Sequence, residues 1–541
     1  MIEAPIFRFN SERDSLVART IERVVETTSD PLWILNDAAY HETRRLDGTK
    51  RPKDIERLED WRRLARRLGR MSEAKRRERL REIAGEYSRD IAGNFDPRVF
   101  HVSTRLVPAL VTSLLSPRSL PRMLRHPQDL FSLDALGQKV LVEGHIDHLK
   151  RLAKIGTLVF VPTHSSNLDS IVFGFALEKC GLPPATYGAG KNLFTNPLLS
   201  FFMHNLGAYK VDRRLQHKLY KDCLKAYSTI LIENGFHSLF FPGGTRSRSG
   251  GVEGKLKLGL MGTGVEAYVR TLMASRERKV FFVPATINYL ITLEAETLIG
   301  DFLSEAGKAK YIITDDESSR VGRVATFVRK LLGMSGSVVI RFGRALDPFG
   351  SVVDDEGHSH DRRGRRVAAR SYVENLDGEV VLDPRRDAQY TRELGDEIAK
   401  AYLRETVVMP TNVVAAACFD YLRRQAPSGD LFTLLRQRDE VVGRDELARE
   451  VLRLRDQLLD MEKSGQVVVS DSIRQCSGGD IVAQAIAAFS GYHTTPVIEP
   501  RPEGVGLRDT NLLFYYQNRL AGHALGFDPA HVTRHPARRS A

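Results

Sequence analysis

The segment GTLVFVPTHSSNLDSIVFGFAL (Gly156–Leu177) decides the fold of the middle of the chain. It begins with a short apolar run rich in β-branched and aromatic residues, typical of a buried strand, and it ends in an apolar helical stretch. A polar elbow from His164 to Asp169 joins the two halves. The chain has four strand-type runs of this kind, separated by helical patterns: Thr157 to Thr163, Ser238 to Pro242, Val280 to Thr286 and Ser337 to Phe342. This alternation predicts an α/β fold with a largely parallel central sheet flanked by helices, whose functional groups gather at the carboxyl ends of the strands.

Helical regions are predicted on both sides of this sheet. Between about Lys53 and Asp90, apolar residues recur at three- and four-residue spacing in a sequence dense in Arg and Glu. These amphipathic helices either pack on the rest of the protein or present a basic face to a membrane. Helical periodicity returns from Thr391 onward. The chain is therefore divided into an N-terminal helical region (1–130), a central domain (131–346), a polar surface excursion or linker (347–390) and a C-terminal helical region (391–541).

Composition narrows the classes of protein that the chain can be. Its 541 residues are 42% hydrophobic and 27% charged, which is typical of a folded protein with two or three packed units. The longest uncharged apolar run, between Arg105 and Arg118, falls short of the ~18 residues that a spanning helix needs. The N-terminus lacks the apolar region of a signal peptide, so we expect a cytoplasmic chain. The net charge of +12 favours an anionic partner, which could be a bilayer, a nucleic acid, or an acidic substrate and its carrier.

Neither a metal site nor a disulfide framework is predicted. The four cysteines are scattered without C-x-x-C pairs. His358 and His360 lie in a charged stretch that lacks the further ligands of a metal site. We therefore expect no metal and no cofactor.

His164 and Asp169 are the first candidate catalytic residues. Residues five apart in one helix point in different directions, but a His in a loop and an Asp in the first helical turn can face each other. The positive end of the helix stabilises the Asp anion, which can then orient the imidazole. The other ring nitrogen would serve as a general base for a hydroxyl group. The alternative is that Asp169 is only a helix-start acid and His164 an ordinary loop residue.

The second candidate is the segment FPGGTRSRSGG (Phe241–Gly251), again at the end of a strand. Its glycines allow the backbone to approach an anion closely, and its arginines supply bidentate charge for phosphate. It therefore predicts an oxyanion or phosphate cradle, with a plain glycine-rich surface turn as the alternative. The residues assigned to substrate binding here are Gly243, Gly244, Thr245, Arg246, Ser247 and Arg248.

Two further segments are weak signals when each is taken alone. GAYKVDRR (Gly207–Arg214) places Arg213 and Arg214 after a short apolar run, where salt bridges with Asp212 would also explain them. VFFVPATINY (Val280–Tyr289) is a strand that ends in polar groups, and it is explained as well by the core alone.

In their order and spacing, HSSNLD, GAYKVDRR, FPGGTRSRSG and VPATINY resemble the four sequential motifs of the glycerolipid acyltransferase family. That family includes glycerol-3-phosphate and lysophosphatidate acyltransferases. The resemblance covers roughly Val159 to Tyr289 and identifies residues 131–346 as an acyltransferase domain. The longer segment from Gly188 to Arg214, together with KLKLGL after the glycine-rich loop, is more similar to the glycerol-3-phosphate branch of the family.

The resemblance implies a reaction and a set of substrates. A fatty acyl group would pass from acyl-CoA or acyl carrier protein to the sn-1 hydroxyl of glycerol-3-phosphate in phospholipid synthesis, without an acyl-enzyme. His164, held by Asp169, would deprotonate the hydroxyl. Arg213, and by its position Arg246, would bind the acceptor phosphate. Arg214 is assigned to the same substrate-binding set.

Two departures from the family pattern leave the acceptor open. The amides of Gly243 or Gly244 are implied to stabilise the oxyanion, but the family normally has Glu where Gly243 stands. Either backbone donors suffice, a carboxylate from elsewhere substitutes, or the acceptor preference has changed. The segment at Asp212-Arg213 combines the Asp-Arg pair that is typical of lysophosphatidate acyltransferases with the paired arginines that are typical of glycerol-3-phosphate acyltransferases. The alternatives are therefore a lysophosphatidate or dihydroxyacetone phosphate acyltransferase, and a non-catalytic lipid-binding descendant.

The positive charge and the substrates together predict a location. Without a spanning helix, we expect peripheral attachment to the anionic cytoplasmic face of the cell membrane. The candidate attachment segments are the basic stretch from Trp61 to Arg81 and the apolar run from Leu106 to Leu115. Nucleic acid is not an expected partner, because no nucleic-acid-binding motif is recognisable in the sequence.

Overall fold

A seven-stranded sheet lies at the centre of the protein. The computed structural model describes residues 4–100, 140–191, 194, 197–276, 278–306, 337–427, 430–437 and 439–525. The strands of the sheet are β1 (Val140–Gly144), β2 (Gly156–Pro162), β3 (Thr186–Gly190), β4 (Ala208–Val211), β5 (Ser238–Leu239), β6 (Lys279–Tyr289) and β7 (Val338–Phe342). Their order across the sheet is β1-β7-β6-β2-β5-β3-β4.

The sheet is largely parallel, as the sequence predicts. Strands β6, β2, β5, β3 and β4 run in one direction, whereas β7 is antiparallel to β6 and parallel to β1. All four strand-type runs of the sequence are strands of this sheet. The carboxyl ends of five parallel strands therefore meet at one edge, where the loops that follow them can converge.

Helices flank the sheet on both sides, which confirms the predicted α/β class. The α-helices of the described residues are Phe9–Thr27, Pro31–Leu46, Pro52–Leu68, Glu73–Ile91, Ile146–Ile155, Asp169–Lys179, Pro197–Asn205, Lys218–Glu233, Met261–Met273, Ala295–Ala306, Pro384–Glu405, Pro410–Gln425, Leu431–Arg436, Arg444–Lys463, Asp471–Arg474, Gly478–Phe489 and Thr510–Gln517. Short 3₁₀ helices span Pro5–Arg8, Ala369–Val373 and Asn518–His523. The remaining short strands are Val352–Val353, Ser359–His360, Arg366–Val367, Val407–Val408, Val441–Val442, Val468–Val469, Ile498–Arg501 and Gly504–Leu507.

Strand β2 is buried on both faces, as the uninterrupted apolar run GTLVFVP requires. On one face Phe160 packs with the rings of Phe173 and Phe342, in a core that continues into the C-terminal helices. On the other face Val159 and Val161 belong to a second core, built with the helices Met261–Met273 and Pro384–Glu405. The C-terminal region is therefore packed on the sheet that carries the polar elbow.

The N-terminal helices form a third core with the helix Lys218–Glu233. Trp61, Leu64 and Leu68 are buried in this core, so the apolar face of their helix packs on the protein itself. The basic residues on the opposite face remain exposed. The run from Leu106 to Leu115 lies outside the described residues. Among the helices that the structure describes, none is both long enough and apolar enough to cross a membrane.

Residues 347–390 hold a small three-stranded sheet, formed by Val352–Val353, Ser359–His360 and Arg366–Val367. Within it, ligand atoms of Asp354, Glu356 and His358 lie within 4.8 Å of one another. Asp354 Oδ1 accepts the N–H groups of Glu356 and His358, so a tight turn accounts for the cluster. The region boundaries drawn from the sequence stay predictions.

Candidate active site

The polar motifs converge at the carboxyl edge of the parallel strands. The elbow from His164 to Asp169 follows β2, Asp212 and Arg213 follow β4, and the glycine-rich loop follows β5. Tyr289 is the last residue of β6. This convergence follows from the parallel sheet, because neighbouring parallel strands end at the same edge.

His164 and Asp169 face each other across the elbow. Nδ1 of His164 lies 2.8 Å from Oδ2 of Asp169, and Asp169 is fully buried at the start of the helix Asp169–Lys179. A carboxylate can only accept this hydrogen bond, so Nδ1 carries a proton, and in the neutral form of the ring Nε2 keeps its lone pair. The ring stacks on Phe241, with a centroid distance of 4.3 Å. This geometry is what a general base requires, although the catalytic roles of both residues stay predictions.

Three further donors surround the carboxylate of Asp169. Oδ2 accepts the backbone N–H groups of Ser165 at 2.6 Å and Ser166 at 2.9 Å, and Oδ1 accepts the hydroxyl of Tyr289 at 2.8 Å. Such an array, at the positive end of a helix, suits an anion and fixes its orientation. Sequence reasoning gave Tyr289 no role, and its only signal was a polar group at the end of a buried strand.

The main chain of His164 is held from two sides by the glycine-rich segment. Its N–H donates to Oε1 of Glu253 at 2.8 Å, and its C=O accepts the N–H of Ser247 at 2.7 Å. Gly244 has a φ of +73°, and a Cβ there would lie 2.4 Å from Cδ of Lys257. The glycine-rich loop is therefore folded against the elbow that carries His164. Sequence reasoning missed Glu253, which lies beyond the motif.

The four candidate arginines differ in their partners. Arg246 forms an ion pair with Glu294 at 3.3 Å, and exposed Arg248 pairs with Glu305 at 2.5 Å. Arg214 binds both oxygens of Asp212, at 2.9 and 2.8 Å. These contacts mean that three of the predicted phosphate ligands already have carboxylate partners.

Arg213 differs from the other three arginines. Among the described residues it has no carboxylate within ion-pair distance. Desolvation and the positive charge of Arg246 lower the pKa of Arg213. Arg213 is exposed, and two cations held close together, one of them without a carboxylate partner among the described residues, favour an anion nearby.

Glu294 joins the elbow to the glycine-rich loop. It is fully buried and accepts hydrogen bonds from Ser166 Oγ at 2.8 Å and from the Asn167 N–H at 3.0 Å, in addition to its contact with Arg246. Arg246 therefore helps to fix the two loops relative to each other. No local pattern in the sequence indicates this contact, because Glu294 lies outside the four motifs.

The N-terminal region contributes a carboxylate to the rim of the site. Asp90 contacts Lys191 at 2.7 Å and Lys210 at 3.5 Å, and Lys191 also lies 3.7 Å from Asp212. Asp90 belongs to the helix Glu73–Ile91 and is about a hundred positions from its partners in sequence, so only the tertiary fold reveals it.

The C-terminal region forms the wall behind the catalytic pair. Buried Arg519 donates to Asn288 Oδ1 at 2.7 Å, and Asn518 Nδ2 donates to the C=O of Ser249 at 2.8 Å. Gly250 has a φ of +81°, and a Cβ there would lie 2.2 Å from the carbonyl oxygen of Tyr515. A polar cavity of about 30 Å³ lies between this wall and Tyr289. The glycine-rich loop and strand β6 therefore contact residues more than 200 positions away.

The sequence is similar to those of known acyltransferases. Residues 144–288 match the family model described as Acyltransferase. The chain is 26% identical over 295 residues to a glycerol-3-phosphate acyltransferase of Pseudomonas paraeruginosa, an alignment that covers 54% of this chain and 32% of the relative. It is 26% identical over 280 residues to one of Pseudomonas fluorescens, covering 52% and 30%. The chain thus spans about a third of the length of these relatives.

One of the solved structures that match the chain is an acyltransferase. It is the crystal structure of the 1-acyl-sn-glycerophosphate (LPA) acyltransferase PlsC from Thermotoga maritima. The match covers 46% of this chain and 83% of that chain, with 16% sequence identity and a TM-score of 0.24.

Proposed function

We propose that the central domain belongs to the glycerolipid acyltransferase family, and that the protein transfers a fatty acyl group to the sn-1 hydroxyl of glycerol-3-phosphate. The donor is a thioester, either acyl-CoA or acyl carrier protein. The single observation that carries the proposal is the His164–Asp169 pair at 2.8 Å, at the carboxyl edge of a parallel sheet. The names of the Pseudomonas relatives support glycerol-3-phosphate as the acceptor.

In the proposed reaction, Nε2 of His164 takes the proton of the acceptor hydroxyl as its oxygen attacks the thioester carbonyl. A new C–O ester bond forms, and the C–S bond of the tetrahedral intermediate breaks. The proton on His164 passes to the departing thiolate, so the enzyme returns to its starting state. Asp169 holds the ring and stabilises the imidazolium while it exists. No enzyme nucleophile takes part, and Ser166 Oγ is already bonded to Glu294.

The oxyanion of the intermediate requires a backbone donor near the elbow. The N–H of Gly244 donates to the C=O of Phe241 at 3.1 Å, within the turn. We therefore assign the oxyanion to the amide of Gly243 rather than to that of Gly244.

The acceptor phosphate is assigned chiefly to Arg213. It lies beside Arg246, and in the described part of the chain it has no carboxylate partner. Arg246 adds its positive charge while it remains paired with Glu294. Arg214 and Arg248 contribute less, because they pair with Asp212 and Glu305. This division makes Arg213 the most sensitive position for acceptor binding.

Two alternative functions are each favoured by a specific feature of the sequence. Asp212-Arg213 motivates lysophosphatidate or dihydroxyacetone phosphate as the acceptor, and Gly243 motivates a non-catalytic lipid-binding protein. A radiolabelled acyl-transfer assay with glycerol-3-phosphate, lysophosphatidate and dihydroxyacetone phosphate side by side separates them. Acylation of glycerol-3-phosphate at the highest rate, lost in His164→Ala, is the expected result. A preference for another acceptor contradicts the assignment, and no transfer to any of the three contradicts catalysis.

A further inference from the structure

The carboxyl group of Glu253 occupies the space beside Gly243. A Cβ placed on Gly243 would lie 2.7 Å from Oε1 of Glu253, which is too close for two atoms that are not bonded. The same Oε1 accepts the N–H of His164 at 2.8 Å. A side chain at position 243 would therefore push the carboxyl group away from His164. Positions 243 and 253 compete for one volume next to the catalytic elbow.

We propose that Glu253 is a positioning residue of the catalytic elbow, and that it takes the place of the glutamate that the family motif has where Gly243 stands. This inference rests on the proposed acyl transfer. It selects one of the explanations that the sequence leaves open for Gly243, namely that a carboxylate from elsewhere substitutes.

The contact with the His164 N–H explains how Glu253 acts. His164 is fixed at its ring by Asp169 and at its C=O by Ser247, and Glu253 holds the N–H between them. Loss of this acceptor would leave a partly buried N–H unpaired and free the elbow to shift. A small displacement of Nε2 from the acceptor hydroxyl slows proton transfer, while the binding of the acceptor phosphate at Arg213 is left intact.

The other carboxyl oxygen supports a role beyond packing. Oε2 of Glu253 is enclosed, and it has no hydrogen-bond partner among the described residues. Desolvation raises the pKa of Glu253 to about 8, against the opposing effects of the His164 N–H and the charge of Arg519, and the charge of Asp169 raises it further. Keeping such a group is costly, and costly buried acids are concentrated at functional sites.

A reciprocal exchange tests the proposal. Glu253→Gly and Gly243→Glu are each expected to lower kcat by about 10-fold or more, with little change in the KM for the acceptor. The double variant, which moves the glutamate from position 253 to position 243, is expected to recover kcat to within about 3-fold of the wild type. Gly254→Ala is the matched control, since nothing lies within 4 Å of a Cβ at Gly254.

Two conservative variants keep the test decisive if Glu253→Gly does not fold. Glu253→Gln retains an oxygen acceptor for the His164 N–H and should keep most of kcat, whereas Glu253→Met fills a similar volume without an acceptor and should lose it. The proposal is overturned if the folded Glu253→Gln and Glu253→Met variants have equal kcat. It is also overturned if the folded double variant has a kcat no higher than that of the less active single variant. If the wild type acylates no acceptor, the proposed function is rejected. If the wild type is active but the reciprocal exchange does not restore kcat, only the role of Glu253 is rejected.

Discussion

Replacing Glu253 by glutamine should change the pH dependence of the protein's stability. Desolvation raises the pKa of Glu253 from its ordinary value of 4.5 to about 8 in the folded protein. Between these two values the native state holds a proton that the unfolded chain has released. The stability contributed by this group is therefore fully present below pH 4.5, falls as the pH rises, and is lost above about pH 8.

The size of the effect follows from the two pKa values. Each pH unit in this window changes the free energy of unfolding by about 1.4 kcal/mol, so the whole window amounts to about 5 kcal/mol at most. The Glu253→Gln variant has no ionisable group at this position and should not show this loss. We expect the variant to match the wild type near pH 5 and to be more stable by several kcal/mol, about 2 to 5, near pH 9.

Urea unfolding of both proteins at closely spaced pH values between 5 and 9 provides the measurement. Glu305→Gln is the matched control, because that carboxylate is 65% exposed and its variant should run parallel to the wild type. If the free energies of unfolding of the wild type and Glu253→Gln remain parallel across this range, Glu253 does not hold a proton in the folded protein. The electrostatic account of the elbow would then be wrong.

Three further predictions follow from the site. His164→Ala should reduce kcat by ~10²- to 10⁴-fold in a folded protein, and Asp169→Asn should also be damaging; near-normal turnover by folded His164→Ala in the radiolabelled assay would refute the mechanism. Arg213→Ala should raise the KM for the acceptor by roughly 10- to 150-fold and leave the donor KM nearly unchanged, so an unchanged acceptor KM removes its phosphate role. The protein should sediment with anionic vesicles, and binding should weaken as salt is added.

Local signals in the sequence were enough to predict the catalytic pair as a feasible contact. His164 and Asp169 are five residues apart on a strand, elbow and helix, so their meeting depends on one local turn. The four apolar runs likewise predicted β2, β5, β6 and β7. Strands β1, β3 and β4 were not predicted. For β3 and β4 the reason is that TYGAG and AYKV are short and carry little of the β-branched signal.

Contacts that span the chain could not be predicted in this way. There is no characteristic sequence spacing between Glu294 and Arg246 or between Asp90 and Lys191. The same holds for Arg519 and the elbow that it lies behind. The contacts of Asp90 and Arg519 become visible only after the N-terminal and C-terminal helices are packed on the sheet, and that of Glu294 only after the loop that follows β6 lies beside the glycine-rich loop. The substitution at Gly243 was visible in the sequence, but its relation to Glu253 depends on how the loop folds back on itself.

The predicted membrane attachment depends on which face of the N-terminal helices is free. The apolar face that carries Trp61 is buried, so the helix Pro52–Leu68 cannot insert that face into a bilayer. Around the turn that follows it, four exposed cations have no carboxylate partner within the described residues, namely Arg66, Arg67, Arg70 and Lys75. At about 1 kcal/mol for each basic residue near an anionic surface, these four supply about 4 kcal/mol, which salt screens over a Debye length of about 8 Å.

This attachment can be measured by co-sedimentation with phosphatidylcholine vesicles that contain or lack phosphatidylserine. Changing the four cations to glutamine together should abolish binding to the anionic vesicles at low salt, and the wild type should be released at high salt. The control changes Arg362 and Arg365 to glutamine, since both are exposed but paired with carboxylates. Binding that survives the fourfold change would place the attachment elsewhere in the chain, and binding that persists at high salt would make it apolar. No binding of the wild type at low salt would exclude direct attachment, and acyl chains would then have to arrive on a soluble carrier.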